Sequence, residues 1–184
     1  DRYRRQRQMC IRDRYDLALA EYNKAIQLKP KYANAYNNRG NIYDNQGKYD
    51  LALADYNQAI QLEPKYAEPY NNRGWAYDNQ GKYDLALADY NQAIQLHPKY
   101  VKAYNNRGIV YSNQGKYDLA IADYNQAIQL YPKYAHAYYN RGLVNKTKGN
   151  TERAILDFEK AAELYKEEEN QRSYQGSLEQ LKEL

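Results

Sequence analysis

Apolar and small residues fall on one helical face, then on another, and the alternation repeats along the chain. Between residues 33 and 66 the first stripe is Tyr36, Gly40 and Tyr43, spaced four and three apart. Asn45-Gln46-Gly47 interrupts it, with Gly47 suited to a left-handed helix end. The second stripe is Tyr49, Ala52, Tyr56, Ala59 and Ile60. Pro64 ends it by disfavouring helical geometry at Glu63. The spacing therefore predicts two antiparallel helices of about four turns each. Neither helix can bury its face alone, so the next unit must cover it.

Pro30, Pro64, Pro98 and Pro132 recur at intervals of 34 residues. That period divides the chain into a half unit at 15–32, full units at 33–66, 67–100 and 101–134, and a degenerate unit at 135–168. The last unit has Asn145 where the others have Tyr43, Tyr77 and Tyr111; it has Phe158 for Tyr56, and Lys166 where proline is due. Residues 169–184 carry Tyr174, Leu178 and Leu181 on one face and read as a capping helix. Gly40, Gly74, Gly108 and Gly142 recur inside the first helices. A glycine there costs about 1 kcal/mol against alanine, so its repetition marks the closest approach of the partner helix. Ala52, Ala86, Ala120 and Ala154 recur opposite.

The matching positions Tyr36, Gly40, Tyr43, Ala52, Tyr56, Ala59 and Pro64 resemble the tetratricopeptide repeat. The resemblance covers residues 15 to about 168. It implies an all-α chain: a right-handed α-solenoid of helix-turn-helix repeats, with the first helix of each unit lining the concave side. Arg39, Arg73, Arg107 and Arg141 depart from the family pattern, which has a large apolar residue there. Each Arg is expected to bury its stem and pair its head with Asp55, Asp89 or Asp123.

The resemblance also places a candidate peptide-binding groove. One column is Asn38, Asn72, Asn106 and Asn140; beside it run Asn37, Asn71 and Asn105, with Tyr139 in the last unit. The first column is similar to the asparagine ladder of the O-GlcNAc transferase repeat region. A carboxamide both donates and accepts, so it suits an extended peptide backbone. The full units differ at Asn34/Glu68/Lys102, at Asn41/Trp75/Ile109 and at Asp44/Asp78/Ser112, columns that share this face. Trp75 is the candidate anchor, with inter-helix packing as its alternative. The clamp that some members of the family use for terminal carboxylates is not expected. Asn37, Asn71 and Asn106 stand at its basic positions, and Lys102 alone remains.

Charge changes the picture once the first residues are set apart. Residues 4–13, with Arg14 as junction, read as the translation of a nucleotide string resembling a transposase-library adapter. Residues 1–14 hold six Arg and two Asp; without them the basic and acidic residues balance at 21 each, and the formal charge falls from +4 to zero. A nucleic-acid or anionic-membrane partner then loses its electrostatic basis. The single Cys10 and Met9 fall in the same segment, which removes any disulfide or cysteine metal site. Tyr15 is expected to be the cut edge of a longer protein, and the compartment cannot be read beyond a cytoplasmic default. An uncapped 15–28 helix is expected to expose apolar side chains and to self-associate.

Tyr, present 24 times, replaces Leu as the source of buried area, and its hydroxyl needs a partner. His97 and His136 have no Ser or Cys nucleophile beside them, and no phosphate-binding glycine loop or cofactor motif appears. The expected function is a protein- or peptide-binding scaffold without catalysis. The alternatives are the regulatory or docking arm of a larger enzyme, such as a glycosyltransferase, and a self-associating spacer.

Overall fold

The structure is a computed structural model that describes residues 2–184, with side chains from residue 14 onward. The adapter-like stretch at residues 4–13, with Met9 and Cys10, lies outside the described side chains. Among the described residues the chain is all helix and turn. A first unit, residues 1–96, holds α1 (Arg2–Leu28), α2 (Ala33–Asn45), α3 (Tyr49–Leu62), α4 (Ala67–Asn79) and α5 (Tyr83–Leu96). A second unit, residues 97–184, holds α6 (Val101–Asn113), α7 (Tyr117–Leu130), α8 (Ala135–Thr147), α9 (Thr151–Glu167) and α10 (Gln171–Lys182). Each unit packs consecutive helices as hairpins, which is the α-solenoid class of architecture.

The sequence signals act where they stand. Gly47, Gly81, Gly115 and Gly149 take φ between 70° and 76° at the turns inside the hairpins, the left-handed conformation that glycine adopts without steric cost. Glu169 takes the same conformation, φ 56°, between α9 and α10, where no glycine is available. Glu63 leaves helical geometry (φ −134°, ψ 82°) ahead of Pro64. Lys166 removes that stop from the fourth hairpin, and α9 runs 17 residues where α3 has 14.

Packing confirms the small-residue positions. A Cβ built on Gly40, Gly74, Gly108 or Gly142 would stand 2.6–2.9 Å from Cε1 of Tyr56, Tyr90, Tyr124 or Phe158. Those rings are fully buried, as are Ala52, Ala86, Ala120 and Ala154. Tyr36 and Tyr43, by contrast, are only half-buried. Gly40, between them on the same stripe, is the member that meets the second helix most closely.

The arginines pair as expected. Arg39 meets Asp55 with Nε–Oδ2 at 2.7 Å and Nη2–Oδ1 at 2.6 Å. Arg73–Asp89 and Arg107–Asp123 repeat this two-point geometry, and Arg141 pairs with Asp157 in the fourth repeat. Each pair ties the first helix to the second within a hairpin. The paired carboxylate holds the Arg39, Arg73 and Arg107 guanidinium pKa values up. Many tyrosine hydroxyls find a partner that the sequence did not suggest. Tyr36, Tyr70, Tyr104 and Tyr138 donate to the carbonyls of Pro30, Pro64, Pro98 and Pro132 at 3.1–3.3 Å, fixing each first helix to the preceding turn.

Leu17 and Leu28 of α1 are about 70% exposed, and Leu51, Leu85 and Leu119, which hold the place of Leu17 in the later repeats, are exposed as well. Among the described residues no helix is long and apolar enough to cross a membrane.

Candidate functional site

Asn34, Asn37, Asn38, Asn41 and Asp44 follow one another at helical spacing on α2, and the repeat places the equivalent positions, with changed occupants, on α4, α6 and α8. The two asparagine columns separate on folding. Asn37, Asn71 and Asn105 are buried, at 1%, 4% and 4% exposure, whereas Asn38, Asn72, Asn106 and Asn140 are half-exposed.

Hydrogen bonds join the two columns. In the first unit Asn72 Nδ2 donates to Asn37 Oδ1 at 2.9 Å, and Asn71 Nδ2 donates to Asn72 Oδ1 at 3.2 Å. In the second unit Asn140 Nδ2 donates to Asn105 Oδ1 at 2.9 Å, and Asn105 Nδ2 reaches Asn106 Oδ1 at 3.4 Å. The buried amide of one repeat thus orients the half-exposed amide of the next. A carboxamide has two N–H groups and two acceptor lone pairs. Asn72 and Asn140 therefore keep hydrogen-bonding capacity on the surface side.

A second chain of bonds crosses the start of this face. Asn38 Nδ2 donates to Asn34 Oδ1 at 2.8 Å, Asn34 Nδ2 to the Tyr66 hydroxyl at 3.1 Å, and Tyr66 to Glu68 Oε2 at 2.8 Å. Burial, then the Glu68 carboxylate, pushes the Tyr66 hydroxyl pKa up to about 12, so it stays a donor at neutral pH. The sequence marked column 34/68/102 only as variable; its role in orienting Asn38 appears only here.

The column of Asn41, Trp75 and Ile109 does three different things. Asn41 Oδ1 accepts from the buried Tyr56 hydroxyl at 2.8 Å. Trp75 offers no such acceptor, and the Tyr90 hydroxyl is buried without a partner. Trp75 itself remains 38% exposed, so the ring does not vanish into inter-helix packing. Ile109 packs beside Tyr124 and Val144. Lys102 is exposed. Tyr139 stacks edge-on against Phe158 at 5.7 Å and packs beside Leu164 and Tyr165, unlike the asparagines at 37, 71 and 105.

Asp44 and Asp78 sit in the last turns of α2 and α4, where a carboxylate opposes the helix dipole. Asp44 Oδ1 is buried without a partner. Burial pushes the Asp44 pKa up to about 6, and burial raises Asp78 as well. Among the described residues no cluster of three or more His, Cys, Asp or Glu could hold a metal ion.

A tetratricopeptide-repeat family model matches residues 33–66, 67–100 and 101–134. Related repeat models match residues 9–47 and 135–168. No curated protein matches by sequence. Among solved structures, the chain is similar to MamA at 26% identity and TM-score 0.71, over 89% of this chain and 95% of that one. It is similar to YrrB, described as a TPR protein with an unusual peptide-binding site, at 25% identity and TM-score 0.63, over 86% and 81%. It is also similar to the first TPR domain of Spaghetti (RPAP3) bound to the HSP90 peptide SRMEEVD, at 30% identity and TM-score 0.61, over 64% and 93%. With three consecutive 34-residue hairpins matched by one model and the flanking hairpins by its relatives, the chain belongs to the tetratricopeptide-repeat family.

Proposed function

We propose that this chain is an assembly scaffold that binds extended peptide segments of partner proteins on the faces of its first helices. The carrying observation is the pair of inter-repeat amide bonds, Asn72 to Asn37 and Asn140 to Asn105. They fix the orientation of half-exposed carboxamides, so less side-chain entropy is lost when a peptide backbone is gripped. Peptide binding by the similar YrrB and Spaghetti structures supports the same reading.

Amide contacts alone are weak. Each contributes about 1 kcal/mol net, so affinity must come from an anchor. Trp75 is that anchor in the first unit, an exposed ring on the α4 surface. Asp44 and Asp78 bias the same unit against acidic tails and toward neutral or basic segments. The scaffold needs no catalytic group. A docking arm for a larger enzyme would use the same face.

Panning a peptide library against the full chain tests this reading. Trp75→Ala is expected to weaken selected peptides about 30-fold, a loss of about 2 kcal/mol. Asn72→Ala is expected to weaken them about fivefold, the equivalent of about 1 kcal/mol. The acidic peptide SRMEEVD is expected not to bind. Selected peptides whose affinity ignores both substitutions would place recognition elsewhere. A self-associating spacer, favoured by the exposed Leu17 and Leu28, would instead give no peptides and a concentration-dependent mass in sedimentation.

A further inference from the structure

The fourth repeat lacks the second tyrosine that flanks the arginine in the first and third repeats and lies near Arg73 in the second, where Tyr70 is 5.7 Å away. Arg39 lies one turn after Tyr36 and one turn before Tyr43, its guanidinium carbon 5.5 Å and 5.9 Å from the two ring centroids. Arg107 repeats this with Tyr104 at 5.6 Å and Tyr111 at 5.9 Å. Arg141 keeps the first ring, Tyr138, at 5.6 Å. Its second ring is replaced by Asn145.

Asn145 does not fill the space. Its side chain turns inward, donates from Nδ2 to Asp157 Oδ2 at 3.1 Å, and is 3% exposed. Beside it lies an open cleft of about 280 Å³ at Arg141, floored by Asn145 and Asp157, walled by Ile121 and Leu156 and flanked by Asn125 and Arg153. The volume is at the small end for ligand pockets, about 300 Å³ and upward, and suits one side chain rather than a whole metabolite. Leu156 is 65% exposed at the rim, so an apolar wall faces water.

We propose that this cleft is a second binding site, which receives an aromatic side chain of a partner protein in the seat that Tyr43, Tyr77 and Tyr111 fill in the other repeats. The chemistry fits a ring better than an aliphatic chain. A guanidinium held in place by Asp157 and Asn125 presents a fixed cation to a π-face. Ile121 and Leu156 cover the apolar edges. An aliphatic group would gain the same apolar contact without the interaction with the cation. The site is built from α7, α8 and α9 of the second unit and shares no residue with Trp75 or Asn72, so loss of peptide binding at those two residues leaves it untouched.

Amide-resolved NMR titration of the full chain with p-cresol, the tyrosine side chain in free form, tests the proposal. Cyclohexanol, of similar size but without a π-face, is the control. Saturable shifts confined to residues around Arg141, Asn145 and Leu156 are expected with p-cresol, at least fivefold tighter than with cyclohexanol. Asn145→Tyr is expected to abolish them by seating its own ring. Leu156→Glu, at an exposed position that tolerates charge, is expected to weaken p-cresol at least fivefold should Asn145→Tyr fold poorly. Tyr43→Asn should open an equivalent cleft at Arg39 and add a second set of shifts. Absent or unsaturable shifts overturn the proposal. So does equal binding of cyclohexanol, or binding that survives either substitution in the cleft. Trp75→Ala should leave these shifts unchanged, which separates this site from the peptide-binding face.

Discussion

Glycine at the middle of a first helix is a packing requirement in this protein. A Cβ at Gly74 would stand 2.9 Å from Tyr90 Cε1, and that ring is 0% exposed, so it has nowhere to move. Gly74→Leu is therefore expected to lower stability by about 2–3 kcal/mol through overpacking. Thermal denaturation followed by circular dichroism checks it; an unchanged melting temperature would refute the close contact. Asp44 gives a residue-scale prediction with a pH signature. Its folded pKa is raised to about 6, above the ordinary unfolded value near 4. Its charged form therefore costs stability at neutral pH. That cost falls as pH drops through 6 and is gone below about 4. Asp44→Asn should raise stability at pH 7 by about 1 kcal/mol, a figure reduced for solvent screening because the carboxyl is only half-buried. It should also flatten the pH dependence of the melting temperature between about 4 and 6. A stability gain that persists at pH 4 would contradict the burial argument. The sequence showed the glycines and the close approach of a partner helix, because a 34-residue period repeats both; that a buried ring makes the contact appears only in the structure. It did not show Asp44 in a desolvated place, because that depends on which atoms surround its side chain.

At the scale of the element, each hairpin needs a neighbour to cover its outer face. The last hairpin is covered by α10. Tyr174 packs against Ala135, Ala161, Leu164 and Tyr165. Lys146 reaches Gln180 at 3.0 Å and Glu183 at 2.8 Å. Truncation after residue 168 should expose Leu164 and Tyr165 and loosen α8 and α9 before any other part of the second unit. Hydrogen exchange would show it as faster amide exchange confined first to residues 135–167; uniform protection would mean that α10 is not a cap. The capping helix was legible from Tyr174, Leu178 and Leu181. The longer α9 was implied by the missing proline at 166. The left-handed Glu169 between them was not, since a glutamate gives no local signal for positive φ.

At the scale of the whole molecule, contacts are local within each unit. In the first, α1 packs on α2, α2 on α3, α3 on α4 and α4 on α5, with α2 also touching α4. Such chains have no single centre, only a series of small clusters. The proposed recognition is accordingly spread over repeated surface columns. The columns differ from repeat to repeat, as Asn41, Trp75 and Ile109 do, and each difference alters one local contact without disturbing the period.

The period, the paired helices, the turn glycines and the close helix approach at the first-helix glycines were set by the sequence alone. These follow from local conformational preference and helical phase, which a repeat prints several times over. Tertiary structure decided the rest. Asn37 and Asn38 are adjacent and chemically identical, yet about 100° of helical rotation buries one and leaves the other half-exposed. Asn145 reads as a polar substitution until Arg141, Ile121 and Leu156 are seen to surround the space it leaves. Burial and enclosure are properties of neighbours 12 to 35 residues away, and no single repeat carries that information.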